Sequence, residues 1–146
     1  NGDHAPEFKA RFNGYFETLQ SHGLDQSSVQ RNAISTEDAG SEAVKSLLQS
    51  GELPQAIVCA SDLIAMGVLR ALRQAKVNVP DDVAVVGYDN IAVSAYTTPS
   101  LTTVQQNTKL AGELLVNTLL KAINNEDVQD YLMPADIIIR QSCGSE

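Results

Sequence analysis

A chain of 146 residues with a 43% hydrophobic fraction is one domain's worth of sequence with enough apolar side chains for a packed core, which argues against wholesale disorder. Its net charge of −8, with Lys and Arg scattered singly or in loose pairs, argues against nucleic-acid binding by this chain alone, because phosphate neutralisation needs clustered cations. No apolar run approaches the ~18 residues of a membrane span, and no basic-then-apolar leader pattern is present, so no membrane association and no signal peptide are expected.

The first predicted element is a helix. Phe8, Phe12, Tyr15 and Leu19 recur at helical spacing, Pro6 suits a first turn, and His22-Gly23 closes the element. Residues 29–34 read as a weak strand. Ser35-Thr36-Glu37-Asp38 reads as a cap that opens a second helix through Val44, Leu47 and Leu48. After a loop at 51–54, residues 56–60 read as a strand, 62–76 as a helix, 79–82 as a turn and 83–88 as a strand. Residues 56–90 thus have the pattern of a parallel βαβ unit. Pro99 and the threonines of 97–103 mark an irregular crossing segment. A helix follows through Leu110, Leu114, Leu115, Thr118, Leu119 and Ala122 and stops at Asn124-Asn125. Residues 127–131 read as a loop and 132–140 as a final extended segment, in which Ile137-Ile138-Ile139 fits a strand buried on both faces. Alternating helices and strands define an α/β architecture, a parallel sheet with helices on both faces. A doubly wound unit begins with a strand, so either the sheet is small or a strand ahead of the first helix is expected.

There is no G-x-S-x-G elbow, no Walker A and no G-x-G-x-x-G. His4 and His22 neighbour neither a cysteine nor each other, so neither a metal site nor a cofactor is expected. Cys59 and Cys143 have no C-x-x-C partner and read as reduced structural thiols. No nucleophile has an evident base near it in sequence, and the chain is not read as an enzyme.

In open α/β sheets, ligands bind outside the carboxyl ends of the strands. Ser61 and Asp62 follow the first strand of the βαβ unit, and Asp89 and Asn90 follow the second. Arg11, at the edge of the first helix's aromatic stripe, is either a surface arginine or a planar fork that clamps a ligand's oxygens. Asp89 is either a turn residue or the ionised acceptor that complements it. Ser61 reads as an N-cap hydroxyl, at a helix start that also offers N–H groups to a polar ligand. The helix over 62–76 is apolar around most of its circumference, and Gly67 permits another backbone to approach closely. That helix is either central core or meets the sheet on one side and a second subunit on the other.

The segments ASDLIAMGVLRAL, VPDDVAVVGYDN and PSLTTVQQ, in this order and with this spacing, resemble the effector-binding domain of LacI/GalR-family transcriptional repressors. ARFNGYFETLQSHGL resembles the segment of those proteins whose arginine contacts effector, and the match runs from about Glu7 to Cys143. The resemblance implies one lobe of a two-lobed, periplasmic-binding-protein-like fold plus a helix from the other lobe. It also implies a small-molecule effector, a sugar or a purine-like metabolite, in the cleft between lobes. The further implications are a homodimer, a cytoplasmic location, and DNA reached only through a helix-turn-helix that is not in this chain. Arg11 and Asp89 match the family's ligand-clamping residues, Ser61 falls at a polar ligand contact of some members, and Gln106 falls in the crossing segment beside the cleft. The helix near Asp62 resembles the family's dimer helix, with Leu63, Met66, Gly67 and Arg70 as partner-facing residues. Ser35 stands near a position where many members carry an aromatic ring. By the family pattern, residues 1–100 and 130–146 form the C-terminal lobe and 107–125 a helix of the other lobe. Without that lobe, the helix's leucine stripe is expected to fold back on its own lobe or to pack on a second chain. A transporter's solute-binding protein shares the fold and is the alternative reading.

Overall fold

The structure, a computed structural model, describes residues 6–24 and 35–145; the expected strand at 29–34 lies outside the described residues. Helix α1 (Pro6–Ser21) begins at the proline whose missing N–H costs nothing in a first turn. Helix α2 (Glu37–Ser50) is opened by Thr36, whose side chain accepts the Ala39 N–H at 3.2 Å, and is closed by Gly51 at φ +75°. Helix α3 (Asp62–Gln74) is capped by Ser61, and helix α4 (Thr108–Ile123) by Asn107, whose side chain accepts the Leu110 N–H at 2.9 Å.

Four strands, β1 (Ala56–Val58), β2 (Ala84–Tyr88), β3 (Thr102–Gln106) and β4 (Ala135–Ile138), form one sheet in that order. The first three are parallel, and β4 runs antiparallel to β3 at the edge. Side chains alternate across a strand. In β2, Val85 and Gly87 are buried, while Val86 and Tyr88 turn to the opposite face. Val44 of α2, Val68 and Leu72 of α3, and Val83, Val85 and Leu101 close the core and are essentially inaccessible to solvent. Helices α2 and α3 cross very closely. A Cβ at Gly67 would overlap the Glu37 carbonyl, and one at Gly40 would overlap the Ile64 carbonyl.

Three expectations are corrected. The segment read as an irregular crossing over 97–103 ends in a true strand, β3, which begins at Thr102. Its β-branched threonines suit a strand, and both find polar partners inside. Thr102 Oγ1 donates to the Arg140 carbonyl at 3.0 Å, and Thr103 Oγ1 to Asp62 at 2.6 Å. The isoleucines of the last segment are not buried on both faces. Ile137 and Ile139 are 67% and 59% exposed, because β4 pairs on one side only and no described helix covers it. Of the two outcomes expected for α4, folding back or packing on a second chain, folding back is not met: none of its residues is buried, and Leu115 and Ile123 are 71% and 65% exposed.

The chain's end is nonetheless built in. Fully buried Ser142 accepts the Thr102 N–H at 2.8 Å and donates to the Val85 carbonyl at 2.6 Å, bridging β2 and β3 where their ladder begins. Among the described residues no helix is long and apolar enough to cross a membrane.

Candidate functional site

The carboxyl ends of β1 and β2 gather Arg11, Ser61 and Asp89. Arg11 reaches from α1 and donates from Nη1 to the Ala60 carbonyl at 2.7 Å. Its Nη2 lies 3.5 Å from Asp89 Oδ1. The guanidinium carbon sits 3.7 Å from the centroid of the Tyr88 ring and 5.4 Å from that of Phe8. A guanidinium stacked on a ring and fixed by one hydrogen bond loses little further entropy on meeting a ligand. Phe8 of α1 and the tyrosine that precedes Asp89 thus serve to orient the arginine.

Asp89 lies on a turn that is costly to make. Asp89 and Asn90 take φ of +110° and +49°, a region that non-glycine residues enter at a cost of about 1–3 kcal/mol each. Three backbone donors offset it. The Asp89 N–H bonds the Val104 carbonyl at 2.9 Å, the Asn90 N–H bonds Thr103 Oγ1 at 3.2 Å, and the Ile91 N–H bonds Asp62 Oδ2 at 2.9 Å. Asp62 is fully buried in the first turn of α3, where the helix dipole favours a carboxylate. Gly87 leaves the room that this carboxylate occupies, since a Cβ there would overlap Asp62 Oδ1.

Burial raises the pKa of Asp89; the Arg11 charge opposes that rise and the Asp62 charge adds to it. A carboxyl whose folded-state pKa is raised takes up a proton at higher pH than the unfolded chain does. Its charge therefore opposes folding at neutral pH, and that opposition is relieved as pH falls. The charge also supplies the acceptors at this turn. Ligand affinity measured calorimetrically is therefore expected to fall on acidification before the ordinary aspartate value of ~3.9 is reached, and Asp89→Asn is expected to flatten that dependence.

Ser61 is 5% exposed, accepts the Ile64 N–H at 3.4 Å as the α3 cap, and shares a hydrogen bond with the Ser35 hydroxyl at 2.5 Å. The Ser35 position thus contributes a hydroxyl pair to the wall beside Ala60. Gln106 ends β3 on the sheet face that carries Tyr88 and Val104, which are register partners. Among the described residues its side chain makes no hydrogen bond to Arg11, Ser61 or Asp89.

On α3, Leu63 is 41% exposed and Met66 is half-buried. Arg70 donates to Asp38 at 3.0 Å and to Ser41 at 3.1 Å, so it ties α3 to α2. At Gly67 the close backbone approach that the glycine permits is made by α2 of the same chain, at Glu37. Cys59 is buried, and burial pushes its thiol up to about 12. No group of potential metal ligands occurs among the described residues.

Sequence reasoning noted Asp62 and Asn90 as polar strand-end residues without giving them a role, and it missed Thr103 and Arg140. One usable signal was Gly87, a side-chain-free position directly before Tyr88-Asp89-Asn90.

A mostly parallel sheet thus carries an arginine–carboxylate pair at its strand ends, where open α/β sheets bind ligands. The chain belongs to the periplasmic binding protein-like domain family, whose pattern matches residues 1–143. Its relatives there are transcriptional repressors of the LacI type. It is 34% identical to the HTH-type transcriptional repressor PurR of Glaesserella parasuis serovar 5, a match covering 92% of this chain and 42% of that protein. A dimeric Lac repressor superposes with a TM-score of 0.87 at 27% identity, over 92% of this chain and 50% of the other. The complex of the transcriptional regulator CelR with cellobiose gives a TM-score of 0.82 at 34% identity, over 90% and 41%. The chain thus spans half or less of the length of these relatives.

Proposed function

We propose that this chain is the ligand-sensing and dimerisation part of a LacI-type transcriptional repressor that holds a small metabolite, a sugar, in a cleft between two lobes. The observation that carries the proposal is the Arg11–Asp89 pair. Arg11 has N–H groups left over after its bond to Ala60, and Asp89, with a side chain 39% exposed, has acceptor capacity to spare. Together they present a donor fork beside an acceptor, which matches adjacent hydroxyls. The Ser35–Ser61 hydroxyls extend the polar wall, whereas Phe8 and Tyr88 lie against the guanidinium and not free for base stacking. The cellobiose complex of the CelR relative supports a sugar; a purine-like metabolite is the competing ligand class.

In this proposal residues 1–100 and 130–146 make the C-terminal lobe and the helix within 107–125 belongs to the other lobe. The exposed Leu115, Val116, Leu119, Leu120 and Ile123 support this, because burying each side chain gains about 1.5–3 kcal/mol. Leu63, Met66 and Arg70 contribute to a homodimer face, in keeping with the dimeric Lac repressor. DNA is met through a helix-turn-helix beyond this chain, in the cytoplasm, with no membrane partner, no cofactor and no catalytic role. The relatives are regulators, which favours this reading over a transporter's solute-binding protein.

The test is a thermal-shift screen of the purified full-length repressor with D-glucose, D-ribose, cellobiose and hypoxanthine, followed by operator binding with the compound that stabilises it. A sugar that raises Tm and changes operator affinity is expected. Stabilisation by hypoxanthine alone would overturn the sugar assignment, and operator affinity indifferent to every stabilising compound would overturn the repressor reading.

A further inference from the structure

The Asn90 side chain stands where three segments meet. Its Nδ2 donates to Gln105 Oε1 on β3 at 2.9 Å. Its Oδ1 accepts from Arg140 Nη2, just past β4, at 2.7 Å. The Arg140 guanidinium also donates from Nη1 to the Leu101 carbonyl at 2.7 Å and to Ser94 Oγ at 3.1 Å, closing the loop after β2. Strand β3 leads out to α4, and β4 brings the chain back from it. The residue next to Asp89 is therefore bonded to both the outgoing and the returning strand. A carboxamide suits that place, since it offers a donor and an acceptor in one plane. Asparagine also tolerates the left-handed φ of +49° found there.

We propose that Asn90 is a positioning residue that couples Asp89 to the two crossing strands, so that a change at the ligand carboxylate displaces Gln105 and Arg140 together. This rests on the reading of Asp89 as a ligand contact and of 107–125 as part of the other lobe. A ligand that moves Asp89 acts through one side chain on both passages between lobes. A turn-forming asparagine without this role would need only its backbone bond to Thr103.

The test needs no ligand. NMR of the labelled protein follows the Arg140 Nε–H and the Gln105 side-chain amide when Asp89→Asn is introduced. Both signals are expected to shift in the background with Asn90. The Arg140 signal alone is also expected to shift in Asn90→Asp, which keeps the acceptor for Arg140 and loses the donor to Gln105. Both signals are expected to stay still in Asn90→Gly, which keeps the positive φ and removes the side chain. Exchange of the Asp89 amide is expected to quicken about fivefold in Asn90→Gly, the equivalent of one net hydrogen bond. Gln105→Ala, at an exposed position, cuts the β3 arm alone and is expected to preserve the Arg140 response. Equal shifts in Asn90→Gly, or no shift with Asn90 present, would overturn the coupling. Calorimetry that found effector binding indifferent to Arg11 would overturn the site assignment instead, and the two failures are told apart by which experiment fails.

Discussion

Arg11→Ala is expected to weaken effector binding about a hundredfold, on the order of 3 kcal/mol, the usual range for removing one partner of a part-buried, hydrogen-bonded charge pair. The side chain is only 20% exposed and is fixed by the Ala60 carbonyl and the Tyr88 ring before any ligand arrives. Removing it takes away the donor fork and leaves the Asp89 carboxylate without its partner. Arg11→Lys is not expected to restore affinity, because an ammonium neither stacks as a plane on Tyr88 nor donates in two directions at fixed geometry. Calorimetry with the sugar that stabilises the wild-type protein measures the loss. Arg73→Ala, an exposed arginine at the far end of α3, serves as the control and is expected to bind as wild type does.

Gly67→Ala is expected to destabilise the protein by about 3 kcal/mol, at the upper end of the range for overpacking. The new methyl group would overlap the backbone carbonyl of Glu37, and backbone cannot rotate away as a side chain tip can. The reciprocal contact of Gly40 with the Ile64 carbonyl leaves α2 no room to retreat. Gly112→Ala supplies the contrast. Nothing lies within 4 Å of its added Cβ in exposed α4, and alanine favours a helix over glycine by up to about 1 kcal/mol. Urea denaturation of the two variants is therefore expected to give shifts of opposite sign for the same chemical change. A Gly67→Ala protein as stable as wild type would contradict the close α2–α3 crossing.

The helices and the βαβ unit were legible because their signals are local. Thr36 and Ser61 announce helix starts within three residues of the amides they cap. Strand β3 was not legible, since its threonines look like turn residues until β2 and β4 flank them and Asp62 and Arg140 satisfy their hydroxyls. The run Ile137–Ile139 misled for the complementary reason. An apolar run encodes strand propensity but not what covers the strand, and β4 lies at an edge. Gly67 was read correctly as a site of close backbone approach, yet sequence does not say which backbone approaches.

Of the site, Arg11, Asp89 and Ser61 stood out by residue type at strand and helix ends, and the structure brings these three to one end of the sheet. Gln106 shares only the sheet face of Tyr88, the ring on which Arg11 stacks. The residues that hold the Asp89 turn were invisible. Thr103 is 41 residues from Asp62, and Arg140 is 50 from Asn90, so the network exists only once the sheet has formed. That network also explains how a strained turn persists without glycine. Asp62 links it to the first turn of α3, the helix that carries the proposed dimer face, and Asn90 links it to the strands that lead to α4 and back. The proposed ligand contact, the proposed subunit face and the proposed lobe crossing therefore meet within a few hydrogen bonds of Asp89.

The most direct test of the account is a crystal structure of the protein with the sugar that most raises its Tm. The account expects that sugar at the carboxyl ends of β1 and β2, with hydroxyls within hydrogen-bond distance of both the Arg11 guanidinium and the Asp89 carboxylate. A sugar bound elsewhere, with Arg11 and Asp89 still facing each other and untouched, would contradict it.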